Sequence, residues 1–274
     1  MDWIRGTAEE ILKWPPLRKF LSGVEQTPSG RRLLNSLSGQ RGVFSSFAEG
    51  WSAARATGLA GHEDSSEIDV HLKLSKSLRP SDYAALFWLA VAGGGKLRVF
   101  DFGGNVGNLY YSYRPYLEDL GPVEWTVFDL PSIVDRGRRI AEERRAGRLR
   151  FADSTAEFSA SQVLLVSGTL HYWQEAISEF IRQFPVPPEH LVINRTPVHE
   201  TSPSFVTVQR TAACAFPCLV RNEGEMIAEF LALGYRLINK WPAPELRLGL
   251  PLFPDRQVAR FSGFYFRLRA IGEG

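Results

Sequence analysis

The chain has 274 residues, of which 44% are hydrophobic and 23% charged, and this composition excludes a disordered or collagen-like protein. Its 32 basic and 30 acidic residues leave a formal net charge of +2, which argues against broad electrostatic capture of nucleic acid. The longest apolar run is far shorter than the roughly 20 residues that a membrane span needs. The first residues are charged and contain no signal-peptide core, so we expect a cytoplasmic protein. From the net charge and the short apolar runs, we expect neither nucleic acid nor a membrane among its partners.

Residues 1–95 have the pattern of helices and loops rather than that of a sheet. Apolar residues recur at the spacing of one helix face in two places, 33–37 and 83–90, and the glycines at 93–95 mark the end of the second helix. The aromatic residues between 43 and 51 are typical of core packing, with a lid over a ligand as the alternative. We therefore expect the first 95 residues to form an N-terminal helical cap.

From residue 97 onward, short apolar strands alternate with helices. The strands indicated by the sequence are 97–102, 125–130, 149–153, 162–167, 191–194, 235–241 and 261–269. The first five are separated by helices and lack alternating polar residues, so they predict a parallel sheet that is covered on both faces. The last two predict an antiparallel hairpin that completes the sheet. The fold class is therefore α/β, in a domain of residues 96–274 with an insertion around 196–222.

A glycine-rich turn, Gly103-Gly104-Asn105-Val106-Gly107, follows the first of these strands. Such a turn in front of a helix can hold a polar or anionic group on its backbone N–H donors, although a tight turn without a ligand is the alternative. The turn matches neither the P-loop pattern nor the dinucleotide-binding pattern G-x-G-x-x-G. The neighbouring residues therefore have to indicate the ligand.

Three acidic residues stand at the ends of three successive strands: Asp101, Asp129 and Asp153. The carboxyl ends of parallel strands meet at one edge of the sheet, where a crevice binds ligands. An acid before the turn suits a cationic ligand, and S-adenosylmethionine carries both an ammonium and a sulfonium group. Asp129 lies where a carboxylate can accept ribose hydroxyls, and Asp153 lies where adenine would be. Each acid could instead cap a helix, but together they indicate S-adenosylmethionine.

The segment from Asp101 to Gly107 resembles the first motif of class I S-adenosylmethionine-dependent methyltransferases. The segment 128–131 resembles the ribose-binding turn of small-molecule O-methyltransferases. From about residue 43 to the end, the chain also resembles a family of bacterial methyltransferases found with polysaccharide and natural-product biosynthesis genes, whose substrates are mostly undefined. One departure is Asn194, where such sequences often have Asp. The segments that carry this second resemblance are 100–104, 167–172, 194–197, 207–209 and 216–218.

The resemblance implies a Rossmann-like methyltransferase fold with S-adenosylmethionine as cofactor and S-adenosylhomocysteine as product. The residues expected to bind this cofactor are Asp101, Gly103, Gly104, Gly107, Asp129, Leu130, Asp153, Ser154 and Ser167.

Methyl transfer to a hydroxyl or an amine benefits from a general base. His171, just after the fourth strand, is the first candidate, with packing or helix capping as the alternative. His199, after the fifth strand, is the second. Arg195 could clamp a carboxylate or phosphate of the acceptor, with an ion pair to one of the strand-end acids as the alternative.

No metal ion is expected in the site. Cation-dependent O-methyltransferases have acids after the fourth and fifth strands, and this chain has residues 167–169 and 194–195 in those places. The favoured function is methyl transfer from S-adenosylmethionine to a small-molecule acceptor in a natural-product or polysaccharide pathway, with a hydroxyl or carboxylate oxygen favoured over nitrogen. The alternatives are a protein that binds the cofactor without methyl transfer and an enzyme that uses it for another reaction. A homodimer is left open.

Overall fold

The structure is a computed structural model, and it describes residues 40–59, 77–160, 162–210, 214–250 and 252–269, with Gly23 and Thr27 in addition. The predicted helix at 33–37 lies outside the described residues. The described residues divide into two compact units. The larger unit holds residues 77–160, 162–196, 223–246 and 260–269, and the smaller holds residues 40–59, 197–210, 214–222, 247–250 and 252–259.

The strands of the described residues are β1 (Gln40–Phe44), β2 (Leu97–Phe102), β3 (Val123–Phe128), β4 (Leu149–Ala152), β5 (Val163–Ser167), β6 (His190–Thr196), β7 (Val198–His199), β8 (Phe205–Arg210), β9 (Ala215–Asn222), β10 (Tyr235–Ala243) and β11 (Phe261–Leu268). The α-helices are α1 (Phe47–Arg55), α2 (Pro80–Gly93), α3 (Asn108–Leu117), α4 (Pro131–Glu143), α5 (Ile177–Arg182) and α6 (Glu223–Ala232). Short 3-10 helices occur at Glu118–Leu120, Thr155–Ala160, Leu170–Tyr172 and Pro254–Arg256.

Seven strands of the larger unit form one sheet in the order β10-β11-β6-β5-β2-β3-β4. β2 pairs in parallel with β3 and β5, β3 pairs in parallel with β4, and β5 does so with β6. β11 is antiparallel to both of its neighbours, β6 and β10, so β10 again runs in the direction of the parallel strands. The predicted α/β class, with a mostly parallel sheet and an antiparallel C-terminal hairpin, is confirmed.

Both faces of this sheet are buried, which explains why its parallel strands are apolar along their length. On one face, Val99 of β2 and Leu165 of β5 pack in one cluster with Leu89 of α2. On the opposite face, the ring of Phe102 meets that of Phe180 on α5 edge to face, with centroids 5.1 Å apart. Successive residues of β2 therefore pack against different layers, as the two-residue period of a strand requires.

The strand order reverses next to β2. The chain runs outward from β2 to β3 and β4 on one side, and then returns to β5 and β6 on the other side. In open parallel sheets, the loops that follow the two strands at such a reversal diverge, and ligands bind in the crevice between them. Here these loops begin at Gly103, after β2, and at Gly168, after β5.

The smaller unit has a four-stranded sheet in the order β1-β8-β9-β7, and α1 packs against β8 and β9. A Cβ atom at Gly50 of α1 would lie 2.9 Å from Cγ1 of Val206, so a glycine permits the close approach of helix and sheet. Phe44 and Trp51 pack against the buried side chains of Ala54, Val208 and Ala215. Within this unit, these two aromatic residues therefore contribute to a core.

Strand β1 differs from the helices and loops that the sequence indicates for residues 1–95. It pairs antiparallel with β8, a strand far away in the sequence, and such pairing leaves no local pattern to detect. The compact units also do not coincide with the predicted boundary at residue 95, because α2 packs on the seven-stranded sheet. The assignments of residues 1–95 as a helical cap and of 96–274 as a methyltransferase domain with an acceptor-pocket insertion stay predictions.

None of the helices in the described part of the chain combines the length and the apolar character needed to cross a membrane.

Candidate functional site

The glycine turn after β2 has a backbone that favours glycine. Gly103 and Gly107 have φ angles of 71° and 86°, in the left-handed region that residues with a Cβ rarely adopt. A Cβ atom at Gly103 would overlap the side chain of Thr169, and one at Gly107 would lie 2.7 Å from Cδ2 of Leu149. The fold itself therefore requires these two glycines, whatever the turn binds.

Most N–H groups of the turn are used within the protein. Asn105 donates its N–H to Oδ2 of Asp129 at 2.8 Å, and Gly103 donates to the carbonyl of Phe128 at 2.7 Å. The N–H groups of Val106 and Gly107 are bonded inside the turn. These N–H groups are therefore already engaged within the protein rather than available to a ligand. Two carboxyl groups, those of Asp101 and Asp129, lie beside the turn.

Asp101 is the more buried of these two acids, with 1% of its surface exposed. Its Oδ2 accepts the indole N–H of Trp125 at 3.0 Å, whereas its Oδ1 is buried and has no hydrogen-bond partner. A Cβ atom at Gly104 would lie 2.5 Å from Cγ of Asp101, so Gly104 makes room for this carboxyl group. Burial, together with the charge of Asp129, raises the pKa of Asp101 to about 7, against the opposing effects of the Trp125 hydrogen bond and of Arg195.

Asp129 follows the end of β3 and holds the turn in place. Its carboxylate accepts the N–H of Asn105 at 2.8 Å and the N–H of Leu130 at 2.7 Å. Leu130 precedes α4, and 40% of its surface is exposed. These two bonds fix the carboxylate of Asp129 beside the glycine turn.

Asp153 and Ser154 are exposed after β4. The carboxylate of Asp153 pairs with Arg138 of α4 at 2.8 Å, and its N–H donates to Glu157 at 2.9 Å. Ser154 Oγ accepts the N–H of Ala156 at 3.1 Å. This is a local capping bond, of the kind that was the alternative to a ligand contact for the acid at this strand end. The structure thus brings together Asp101 and Asp129, while Asp153 is engaged with an arginine. The cofactor roles of Asp153 and Ser154 stay predictions.

Three polar side chains stand in a row across neighbouring strands at the carboxyl edge. Asp101 is opposite Leu165 in the β2–β5 register, and Ser167 is opposite Asn194 in the β5–β6 register. The two-residue period of strands therefore places Asp101, Ser167 and Asn194 on the same face of the sheet. Ser167 Oγ is buried without a hydrogen-bond partner, so it remains a candidate for a ligand contact.

The two histidines proposed as general bases differ in their surroundings. His171 lies in the 3-10 helix after β5, is 5% exposed and has its ring 4.1 Å from that of Tyr172, centroid to centroid. His199 lies in the smaller unit, and its Nδ1 accepts the N–H groups of Thr201 and Ser202 at 3.2 and 2.9 Å. These two bonds hold the ring of His199 against the backbone that follows it, and its role as a general base stays a prediction.

Arg195 adopts an unusual backbone conformation for a side-chain-bearing residue, with a φ of 55°. The cause is a β-bulge, in which Asn194 and Arg195 of β6 stand opposite the single Gly263 of β11. The bulge interrupts the alternation of β6 at its carboxyl end. Left-handed conformations of this kind cost of the order of 1–3 kcal/mol and are retained where the surrounding contacts outweigh that cost.

The guanidinium of Arg195 lies between two carboxylates. It donates from Nη2 to Oδ1 of Asp82, and its Nε lies 3.4 Å from Oε1 of Glu245. The Arg195 side chain is only 9% exposed. An ion pair was the alternative to an acceptor clamp, and an ion pair is what the structure contains. Its carboxylates come from α2 and from the loop after β10 rather than from the strand-end acids.

Asn194 joins this ion pair to the sheet through neutral hydrogen bonds. Its amide donates to Ser81 Oγ at 3.3 Å and accepts the indole N–H of Trp241 at 3.1 Å. Ser81 in turn donates to Oε1 of Glu245 at 2.5 Å. An aspartate at position 194 could not donate to Ser81 and would add a third carboxylate, which explains why asparagine suits this network.

Sequence reasoning missed most of this buried network. Nothing in the local sequence pattern links Asp82 or the other members to the carboxyl edge. Glu245 reaches it because β10 runs parallel to β6 and ends on the same side. The members that sequence reasoning missed are Ser81, Tyr113, Trp241 and Glu245. Over the described residues, no three His, Cys, Asp or Glu side chains gather as a metal site would require.

The chain matches no protein-family profile and no curated protein by sequence. Among solved structures it is similar to the 1,6-didemethyltoxoflavin-N1-methyltransferase of Burkholderia thailandensis, with 17% identity over 70% of this chain and 80% of the other and a TM-score of 0.46. It is similar to the glycopeptide N-methyltransferase MtfA, with 13% identity over 70% and 91% of the two chains and a TM-score of 0.49.

A third similar structure is the magnesium protoporphyrin IX methyltransferase of Synechocystis, with 12% identity over 81% and 96% of the two chains and a TM-score of 0.45. All three of these proteins were crystallised with S-adenosylhomocysteine. At these identities and TM-scores, the likenesses carry no argument about the reaction of this chain. The fold class rests on its own sheet order and strand directions.

Proposed function

We propose that the chain is an S-adenosylmethionine-dependent methyltransferase that acts on a small-molecule acceptor. The observation that carries this proposal is the arrangement at the strand reversal, where the turn after β2 lies between the buried carboxyl group of Asp101 and the carboxylate of Asp129. The resemblance of the segments 101–107 and 128–131 to methyltransferase motifs supports the same assignment. We also propose that the chain belongs to the bacterial family associated with polysaccharide and natural-product biosynthesis genes, which the segments 100–104, 167–172, 194–197, 207–209 and 216–218 resemble.

The residues present fit this cofactor. The unpartnered Oδ1 of Asp101 is an acceptor for an ammonium group, and a cation beside it would restore the ordinary ionisation of this acid. The carboxylate of Asp129 stands beside the turn, and we propose that it accepts the two ribose hydroxyls. Leu130 is exposed beside Asp129 and offers an apolar surface to the adenine base of the cofactor.

When bound, S-adenosylmethionine supplies an electrophilic methyl group, and the protein has mainly to orient the acceptor. We propose a hydroxyl or carboxylate oxygen as the acceptor atom. His171 remains our candidate for the general base, since its 3-10 helix directly follows β5 at the ligand edge. A carboxylate acceptor would need no base.

Calorimetry with S-adenosylhomocysteine tests the cofactor site. Asp129→Asn should weaken the affinity by about 1.5–3 kcal/mol, because an amide replaces a charged acceptor of hydrogen bonds. Asp135→Asn, which changes an exposed carboxylate on α4, is the matched control and should leave the affinity unchanged. No heat of binding to the wild-type protein would refute the proposed function, and equal affinities of wild type and Asp129→Asn would remove Asp129 from the site.

Formation of S-adenosylhomocysteine from S-adenosylmethionine, with hydroxylated, carboxylated and amine acceptors, tests the reaction. Product that appears only with an acceptor identifies methyl transfer, and mass spectrometry of the acceptor distinguishes oxygen from nitrogen. Cofactor binding without methylated product would favour a binding protein or an enzyme that uses the cofactor for another reaction.

A further inference from the structure

Arg79 is a half-buried arginine directly in front of α2. Its backbone N–H donates to Oδ2 of Asp82 at 2.8 Å and caps the helix, but that bond does not involve the side chain. Within the part of the chain that the structure describes, the guanidinium of Arg79 has neither a hydrogen bond nor an ion pair. Arg195, its neighbour in the network, has two carboxylates.

The position of Arg79 is unfavourable for a cation without a partner. The positive end of a helix dipole disfavours a cation in the first turn. Burial lowers the pKa of Arg79, and the charge of Arg195 lowers it further. Asp82 and Glu245 act in the opposite direction, but Asp82 is hydrogen-bonded to Arg195, and Glu245 lies within ion-pair distance of Arg195. The half-buried guanidinium of Arg79 therefore has no anion in direct contact.

A hydrogen-bond acceptor without a donor lies in the layer between α2 and the seven-stranded sheet. Oδ1 of Asp101 is buried without a hydrogen-bond partner. Asp101 interacts electrostatically with Arg195 and with the hydroxyl group of Tyr113. Arg79 interacts with the same two residues. The layer between α2 and the sheet therefore offers an open carboxylate oxygen and an unpaired guanidinium around common neighbours. A ligand with an ammonium and a carboxylate group, as in an amino acid, would satisfy both.

We propose that Arg79 is the anion-binding residue of this site and holds the carboxylate of a small molecule bound at the carboxyl edge of the sheet. The planar guanidinium can donate two parallel hydrogen bonds to a carboxylate, which makes arginine well suited to this role. The inference rests on the proposed function in that a ligand occupies this edge. The carboxylate can belong to the cofactor or to the methyl acceptor.

Calorimetry with two nucleosides separates these sources. S-adenosylhomocysteine carries the amino-acid group, and 5′-methylthioadenosine is a related nucleoside without it. If the carboxylate is that of the cofactor, Arg79→Gln should weaken S-adenosylhomocysteine binding by about tenfold or more and leave 5′-methylthioadenosine binding unchanged. Arg79→Lys should recover part of the loss, because it keeps the charge but not the fork. Arg114→Gln, an exposed arginine on α3, is the control.

If the carboxylate belongs to the acceptor, neither nucleoside should bind more weakly. Sodium acetate, compared with sodium chloride at equal ionic strength, should then raise the melting temperature of the S-adenosylhomocysteine-loaded wild type but not that of Arg79→Gln. Equal weakening of both nucleosides would show a structural role and overturn the proposal, as would the absence of any effect on either nucleoside and on the acetate response. If wild type binds neither nucleoside, the proposed function fails, and the acetate response of the protein without nucleoside decides the role of Arg79.

Discussion

At the scale of single residues, Asp101 makes the stability of the protein depend on pH. Its pKa is about 7 in the folded protein, mainly through burial, against 3.8 as the ordinary value. The folded state therefore binds the proton more tightly, and stability from this group is lost as the pH rises from about 4 through about 7. Asp101→Asn should remove this loss, which is at most about 2.7 kcal/mol between pH 5 and pH 8, in urea unfolding at these two pH values. Parallel pH dependence in both proteins would contradict the assignment.

The same carboxyl group should make cofactor affinity depend on pH in the opposite direction. A cationic ligand favours the ionised form of Asp101, so S-adenosylhomocysteine should bind roughly ten times more tightly at pH 8 than at pH 6. Calorimetry at the two pH values measures this, with Asp101→Asn as the control that should lack the dependence. Affinity that is independent of pH in the wild type would show that Asp101 does not face the ligand's cation.

Arg195 should contribute more to stability than any exposed arginine. Arg195→Met keeps a long side chain and the same strained φ, but it leaves Asp82 and Glu245 buried without their cation. Removing one member of a buried ion pair costs about 3–5 kcal/mol. Arg114→Met, which removes an exposed pair with Glu118, should cost less than about 1 kcal/mol. Equal midpoints of denaturant unfolding for the two variants would contradict this ranking.

The residue scale also shows where sequence reasoning stops. Asp101 and Asp129 could be placed because each stands at the end of an apolar strand, and the local sequence pattern is enough to detect such a strand. The ion pair of Arg195 could not, because Asp82 lies on a helix distant in sequence and Glu245 follows a strand whose direction depends on the hairpin. The hydrogen bonds that His199 Nδ1 accepts from two backbone N–H groups likewise cannot be found without coordinates.

At the scale of elements, α4 depends on a glycine that helix propensity alone would disfavour. A Cβ atom at Gly137 would overlap the ring of Phe151 on β4. Alanine is the better helix former by about 1 kcal/mol, but overpacking of this kind costs about 1–3 kcal/mol. Gly137→Ala should therefore destabilise the protein in thermal unfolding. Gly147→Ala, where nothing lies within 4 Å of the added carbon, should not, and a more stable Gly137→Ala would mean that Phe151 moves freely.

The elements of the larger unit were predictable to within a few residues because burial on both faces leaves continuous apolar runs. β2 has the predicted bounds, and β3 begins and ends two residues earlier than predicted. β1 was missed because its pairing with β8 is long-range and its sequence, Gln-Arg-Gly-Val-Phe, has too little alternation to indicate a strand. Local patterns thus determine the parallel strands but not the sheet of the smaller unit.

At the scale of the whole molecule, a ligand at the carboxyl edge should produce two kinds of stabilisation. Binding only to the folded state raises the global free energy of unfolding by about 2.7 kcal/mol when the ligand is at a hundred times its dissociation constant. Amides whose local opening requires release of the ligand gain up to this amount, whereas amides elsewhere that exchange by local opening with the ligand still bound gain nothing. A hydrogen-exchange experiment can therefore locate the ligand through the amides that exchange by local opening.

We expect the added protection from S-adenosylhomocysteine at residues 103–108 and 167–171, which follow β2 and β5 at the strand reversal. The start of β10 provides an internal reference, because Tyr235 pairs with Leu268 at the opposite, amino edge of the parallel strands. The amides there that exchange by local opening should gain no protection. If they gained as much protection as the amides of the glycine turn, the strand reversal would lose its place as the binding site.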